Sequence, residues 1–483
     1  MQKRSTLAAG LRILPALALA ASAYSQTWHP LAHQPSFQAD VALQLTDGTV
    51  IVHQLLARPW WKLTPDSQGS YVNGTWSQIA SLPSGYGPLY FASAVLPDGR
   101  VVVNGGEYNI TNAQAETNKG AIYDPVANTW TSLAPPAAWS SIGDATSVVL
   151  TNGKYMIGSC CTNDAAILNP VTLTWTIVGQ SKTDPNAEEG WTLLPDGSVL
   201  NPQVVGAPAT ERYVPKTSTW VSAGNTPVSL VNFSAEEIGP SVLRPNRTVF
   251  AMGATGHNAV YTIGTNGQPG SWAAGPDFPV IAGYGQLDVA DGPAALLPNG
   301  NVLVGASPGV YKKPTYFFEF DGTHLIPEPS TPNSVNNPSY AGRMLVLPTG
   351  QILYTDGSTD VEVYNPIGGP HPAWLPVITS APAAVTHGQS YVVSGTLLNG
   401  VSQGAMYGDD AQSATNYPLV RITNHATGHV FYCRTHDHSS MAVASKSTAS
   451  THFDVPAGIE TGAGTLQVVA SGLASAPVSV TVN

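Results

Sequence analysis

Charge is what this chain has least of. Only 10% of its 483 residues are charged, and the basic share is the smaller, with 19 Lys and Arg against 30 Asp and Glu and a formal net charge of −11. Nothing basic is clustered, which excludes nucleic acid as a partner and makes an acidic polymer equally unattractive. Cysteine is scarce as well. There are three, Cys160, Cys161 and Cys433, too few for a disulfide scaffold, and an adjacent pair lacks the spacing of a tetrahedral metal site. Apolar runs long enough to cross a bilayer are missing, so no membrane span is expected.

Gly (47) and Pro (40) are abundant instead, the composition of a turn-rich all-β protein. Seven times an apolar strand runs into a turn and out into a second strand, beginning at Leu45, Leu96, Leu150, Leu194, Leu243, Leu297 and Leu347. Successive turns are 44 to 54 residues apart, a period that matches kelch repeats. Asp-Gly or Asn-Gly supplies the positive φ of a tight hairpin, and β-branched runs such as Val101, Val102 and Val103 suit a packed strand. A second strand pair follows in most units, as in YDPVANTW from Tyr123 and YVPKTSTW from Tyr213. Each unit thus codes about four strands, and seven stacked radially bury one another's faces.

Residues 24–372 are therefore expected to form a seven-bladed kelch-type β-propeller. From 373 to 483 the texture changes to shorter alternating strands, the pattern of an immunoglobulin-like β-sandwich. At the other end Lys3, Arg4 and Arg12 precede an apolar run, and Ala21-Ser22-Ala23 fits a small-x-small cleavage site. Residues 1–23 read as a secretory signal, giving an exported protein, periplasmic or extracellular, that begins near Tyr24. Without those three basic residues the charge is about −14 by the same counting. In an oxidising compartment Cys160 and Cys161 have three fates: a vicinal disulfide, a bridge from one of them to Cys433, or buried free thiols. Cys160 stands ten residues after its turn leucine, where blade two has the second glycine of Gly105-Gly106, a tightly bent place that favours the vicinal bond.

The whole pattern, with VEVYNP running into PVITSAP and LVRITN followed by THDH, resembles the galactose oxidase and glyoxal oxidase family of copper radical oxidases. The resemblance covers nearly all of the chain after residue 23, through turns that carry fold rather than chemistry. It implies a copper site made of a tyrosine cross-linked to a cysteine, a tyrosine followed by a histidine, and a histidine delivered into the channel by the C-terminal domain. Copper and a tyrosyl radical would then oxidise an alcohol or aldehyde while O2 becomes peroxide. Transferred to this sequence, the Tyr-His pair is Tyr340-Ala341, the cysteine falls near Phe91 and Ala92, and Asp144 stands for the cross-linked tyrosine. His436 matches the last histidine, with His425 and His438 as alternatives. The catalytic candidates are thus Tyr340 and His436, and most of the copper ligands are absent.

Used as a ruler, the repeat exposes an acidic row. Six places before each turn leucine stand Ala39, Tyr90, Asp144, Glu188, Glu237, Asp291 and Ala341. This is the start of the inner strand, near the axis, and four convergent carboxylates need protons, a cation or basic partners. Three readings fit: a network neutralised by Arg343, Arg434 or the histidines, a hard-cation site with calcium the natural occupant, and a sugar or polyol pocket in which Tyr90, Trp139 and Tyr340 stack on a ring. In the C-terminal domain His436 and His438 share a strand face, and with Asp409 or Asp410 they make a second candidate metal group. A hairpin from His429 to Ser440 entering the channel would bring Arg434 and both histidines to the acidic row. The resulting expectation is a secreted carbohydrate- or polyol-binding protein without radical chemistry. A copper oxidase with an altered site and a structural or adhesive protein are the alternatives.

Overall fold

The computed structural model describes residues 27–264 and 269–483; the expected signal, residues 1–23, lies outside them. Seven sheets of four strands follow one another along the chain and form the propeller. Blade 1 is Ala39–Gln44, Val50–Gln54, Trp60–Thr64 and Thr75–Gln78, paired antiparallel in that order. Blade 7 takes its first three strands, Arg343–Val346, Ile352–Thr355 and Glu362–Asn365, from the far end of the propeller. Its fourth is the N-terminal strand Thr27–Pro30, so the ring closes on itself.

The turn chemistry repeats with the blades. In blade 1 the Gly48 N–H donates to Leu45 O and the Leu45 N–H to Thr49 O, and Asp47 Oδ1 accepts from the Thr49 N–H at 3.0 Å. Asp98, Asn152, Asp196, Asn246 and Asn299 accept in the same way from the residue two places on, which is why those positions are Asp or Asn. A single left-handed residue completes each turn: glycine in six blades and Arg247, at φ 67°, in the fifth. The second hairpin carries the tryptophans. Trp130 pairs across the strands with Tyr123, ring centroids 5.0 Å apart, and its indole N–H donates to Ala80 O of the blade before. Trp175 and Trp76 donate likewise to Ala134 O and His33 O, so these side chains add about 0.5–1.5 kcal/mol per aromatic pair and stitch one blade to the next.

The remaining strands, from Val377–Ser380 to Val478–Val482, form the C-terminal β-sandwich. Its core contains Val393, Val420, Ile422, Phe453, Leu466 and Val468, together with the buried free thiol of Cys433. The sandwich sits on the ends of the blades that carry the Asp-Gly turns: Thr435 N–H donates to Thr46 O, His438 N–H to Pro97 O and Met441 N–H to Thr151 O.

One part of this second unit leaves it. Residues 403–415 form a buried finger, closed at its base by a hydrogen bond from Thr415 N–H to Gln403 O (2.8 Å), that rises through the channel. Its strand Ala405–Met406 adds a fifth strand to blade 6 beside Ala294–Leu296. Gln403 Oε1 accepts from Leu193 N–H of blade 4, Ser413 Oγ donates to Ala42 O of blade 1, and Tyr407 OH donates to Tyr340 O. Space there is tight. A Cβ on Gly190 would stand 2.1 Å from Gly408 O, so only glycine lets the finger tip pass.

Candidate functional site

The inner strand of a blade ends at its Asp-Gly turn and begins at the opposite face. Residues at that beginning converge on the axis, and the backbone bends to aim them inward. Tyr90, Glu188 and Asp291 themselves adopt φ of 50°, 56° and 47°, while Gly143 and Glu236 (67° and 60°) make the same bend just before Asp144 and Glu237. Left-handed backbone at a bulky residue costs about 1–3 kcal/mol. Its recurrence within one residue of the same position in five blades marks a shared demand rather than local accident.

These side chains line one cavity of about 300 Å³ with Glu107, Tyr108, Tyr311, Tyr340 and Asp409. The structure thus brings together Tyr90, Asp144, Glu188, Glu237 and Asp291, and adds Asp409 from the finger tip. Burial is the first cause that pushes Asp144, Glu188, Asp291 and Asp409 well above the usual carboxylate range, and mutual repulsion adds to it. Burial also lifts Glu107 to about 7. Asp410, lifted by burial and held down by Arg343, stands at about 6. Tyr311 donates a short hydrogen bond to Glu237 Oε1, and its ring meets Tyr340 edge-on at 5.5 Å.

The cation behind this wall is Arg343. It is 3% exposed, donates to Tyr340 O (2.6 Å) and Gly342 O (2.9 Å), and lies 3.9 Å from the Tyr407 ring and 5.5 Å from that of Tyr90. Its Nε is 3.9 Å from Asp40 Oδ1. A second buried cation, Lys182, fixes the loop under Glu188: its Nζ is 2.7 Å from Glu189 Oε1 and 2.9 Å from Glu211 Oε1.

Arg434, His436 and His438 are elsewhere, and the expectation that the segment from His429 to Ser440 enters the channel fails. Val430–His436 is an interior strand of the sandwich, paired with Leu419–Asn424 on one side and Ala449–Asp454 on the other, and cannot leave it. Arg434 binds Asp454 Oδ2 (3.0 Å) and Asp98 O (3.0 Å). His436 bonds Asp437 and Asp454, and His438 Nδ1 bonds Thr451 Oγ1 at 2.8 Å. The candidate group of His436, His438, Asp409 and Asp410 is therefore split, the two carboxylates going to the axis with the finger and the histidines staying at the turn face. Cys160 and Cys161 are bonded to each other.

Sequence reasoning missed Glu107, Tyr108 and Tyr311. Tyr108 belongs to an added three-stranded sheet, Pro88–Leu89, Tyr108–Asn109 and Thr111–Gln114, that caps blade 2, and Glu107 immediately precedes its middle strand. The available signal was length: the chain from Asn104 to Gly120 joins two adjacent strands that the shorter link from Gly158 to Ala165 joins in blade 3. A larger groove, about 1010 Å³, lies at the turn face beside Pro298, Gly350, Pro366 and Leu375. Among the described residues no ionisable side chain lines it, so chemistry points to the smaller cavity.

No family model matches the sequence. A stretch of 126 residues is 28% identical to the Kelch-like protein terF of Aspergillus terreus, over 26% of this chain and 26% of that protein, so the chain spans about a quarter of the length of the curated relative it matches. In three dimensions the chain is similar to a fungal alcohol oxidase of the AA5 family solved in complex with copper, with a TM-score of 0.54 and 16% identity over 95% of this chain and 99% of that one. The fold is galactose oxidase-like. A catalytically inactive virginiamycin B lyase from Staphylococcus aureus is similar over 71% of this chain and all of its own, at 10% identity and a TM-score of 0.49.

A galactose oxidase-like fold implies copper at the axis, and the residues here do not fit it. The cavity offers carboxylate and phenol oxygens; among the described residues no imidazole and no thiol lines it. Tyr340 is present, but Ala341 follows it, Phe91 and Ala92 are core residues, and Asp144 brings an acid where the cross-linked tyrosine is implied. Cys160 lies within reach of Asp144 and Glu116 but is already bonded to Cys161. Such a set is hard, whereas Cu(II) is best held by nitrogen.

Proposed function

We propose that this galactose oxidase-like protein binds a polyhydroxylated ligand, a sugar or polyol, in the axial cavity, and that it does so without radical copper chemistry. One observation carries the reading: carboxylates and four tyrosines converge on a space of about 300 Å³, at the small end of ligand-sized pockets. Carboxylates accept hydrogen bonds from hydroxyls, and the rings of Tyr90, Tyr108, Tyr311 and Tyr340 supply apolar faces for a pyranose. Tyr311 is 56% exposed and held at φ 60°, which presents its ring at the mouth.

Calorimetric titration with a panel of mono- and oligosaccharides, run both with chelator and with calcium, should find a ligand whose affinity falls at least about tenfold in Tyr108→Ala or Tyr311→Ala, the loss of about 1.4 kcal/mol of contact. Absence of heat with every glycan and polyol would sink the binding role. Peroxide release by copper-loaded protein on alcohols or aldehydes, abolished by Tyr340→Phe, would restore the oxidase. We also propose export, supported by the basic, apolar and small-residue order of residues 1–23. The mature protein from its native source should then begin near Tyr24 in intact-mass measurement, and a retained Met1 would exclude cleavage.

A further inference from the structure

Two carboxylate trios occupy the axial cavity. One is Asp144, Glu188 and Asp409; the other is Glu188, Glu237 and Asp291; within each, one oxygen per residue lies within 4.8 Å of the others. Glu188 belongs to both. Oxygen ligands on opposite sides of one Ca2+ are separated by about twice its 2.3–2.6 Å bond length, so each trio spans no more than a single ion of that size can bridge.

The acids alone would not make the case. Asp409 is 2% exposed, lines the cavity from the finger tip, and its Oδ2 has no hydrogen-bond partner. Glu237, 3% exposed, leaves Oε2 without an N–H or hydroxyl donor, although its Oε1 accepts from Tyr311; Asp291 Oδ1 is in the same state, and the contact between these two side chains is carboxyl to carboxyl, which only a shared proton or a cation can make favourable. Buried carboxylate oxygens without a donor are rare in folded proteins, and each calls for a missing partner. The nearby cations do not supply it. Arg343 has Asp40 as its ion-pair partner and donates to Tyr340 O and Gly342 O, Lys182 is held by Glu189, Glu211 and Asp184 O, and neither makes an ion pair with a carboxylate of the two trios.

We propose that the cavity is a two-cation site for hard divalent ions of calcium's size, one held by Asp144, Glu188 and Asp409 and the other by Glu188, Glu237 and Asp291, with Glu188 bridging. The oxygen-only donor set selects calcium over copper or zinc. Propeller and sandwich share the first ion, since Asp409 arrives on the finger while Asp144 and Glu188 belong to blades 3 and 4. The ion therefore locks the finger tip in the channel. This inference stands apart from sugar binding, because the cation is tested alone.

The test uses the full chain stripped with chelator. Calorimetric titration with CaCl2 should give two ions per chain and a melting temperature that rises with calcium. Terbium should emit when the cavity tyrosines are excited, and calcium should quench that emission. Glu188→Gln should abolish binding at both positions, while Asp291→Asn should leave a stoichiometry of one. Folding is controlled in the same experiment: in chelator Glu188→Gln should melt at or above the wild type, because it removes one of several crowded like charges, and its melting should no longer respond to calcium. Neither heat nor a melting shift up to millimolar calcium would overturn the site. Two ions retained in Glu188→Gln, or a single ion in the wild type, would overturn the bridge.

Discussion

Lys182→Met should lower the free energy of unfolding by about 3–5 kcal/mol, the cost of leaving a buried ionic network without one partner. Lys182 is the sole cation among Glu189, Glu211 and the carbonyl of Asp184, with all three side chains at 0–3% exposure. Burial already lifts Glu189 to about 7 in spite of Lys182's charge. Glu211 is better provided, accepting also from Thr183 N–H and Oγ1 at 3.2 and 3.1 Å. The loss should therefore fall mainly on Glu189, and Lys182→Met combined with Glu189→Gln should recover part of it. Chemical denaturation of the three proteins decides the matter. A Lys182→Met midpoint near the wild type would mean that the network contributes little. Glu189 adjoins Glu188, so the same lysine also fixes the central carboxylate of the cavity.

Acidification should weaken the fold through His438. This ring is 7% exposed, stacks on Tyr417 with centroids 6.1 Å apart, and leaves Nε2 without a partner. Burial depresses its pKa from 6.5 to about 3; His436 and Arg434 push the same way and Asp437 opposes them. The unfolded chain takes up a proton below about 6.5 that the folded one refuses, so the contribution is whole above that pH and is lost as pH falls toward 3. The slope approaches about 1.4 kcal/mol per pH unit, or about 2 kcal/mol by pH 5. The axial carboxylates, held above their usual range, act with the opposite sign. The comparison that isolates the histidine is therefore wild type against His438→Gln at pH 7, 6 and 5. The gap between them should shrink by about 2 kcal/mol over that span, and a constant gap would show that His438 takes up its proton in the folded state as readily as in the unfolded one.

The blades were legible because every turn needs one left-handed residue and six of the seven also use an Asx acceptor, and both leave recurrent letters at a nearly regular period. That ruler placed Asp144, Glu188, Glu237 and Asp291 at one level, since each stands six residues before its turn leucine whether the bend falls on it or on the residue before. It did not reach the finger. Residues 403–415 form no repeat, and they are buried by the propeller rather than by their own sheet, so no alternation announces them. Arg434 and His436 looked better suited to the channel because they are charged or titratable and near the family's THDH pattern. A strand with neighbours on both edges is nevertheless bound to its sheet, and pairing outweighs suggestive chemistry. Glu107, Tyr108 and Tyr311 came from connections between blade strands, where length varies freely and the ruler has no mark.

The strand Thr27–Pro30 pairs Thr27 with Asn365, which makes the ring's last joint a meeting of segments more than three hundred residues apart. Closing such a loop costs about 3 kcal/mol more chain entropy than closing a ten-residue hairpin, on a logarithmic length dependence. Folding of the propeller should accordingly be slow, with blade 7 the last to form, because its outer strand precedes the other blades along the chain and must wait for the rest. The waiting strand has an open edge throughout that interval. Trp28, whose indole N–H finally donates to Pro329 O and whose ring packs on Phe317, Tyr354 and Tyr364, is the latch, and until it seats the circle is an arc with two unpaired ends.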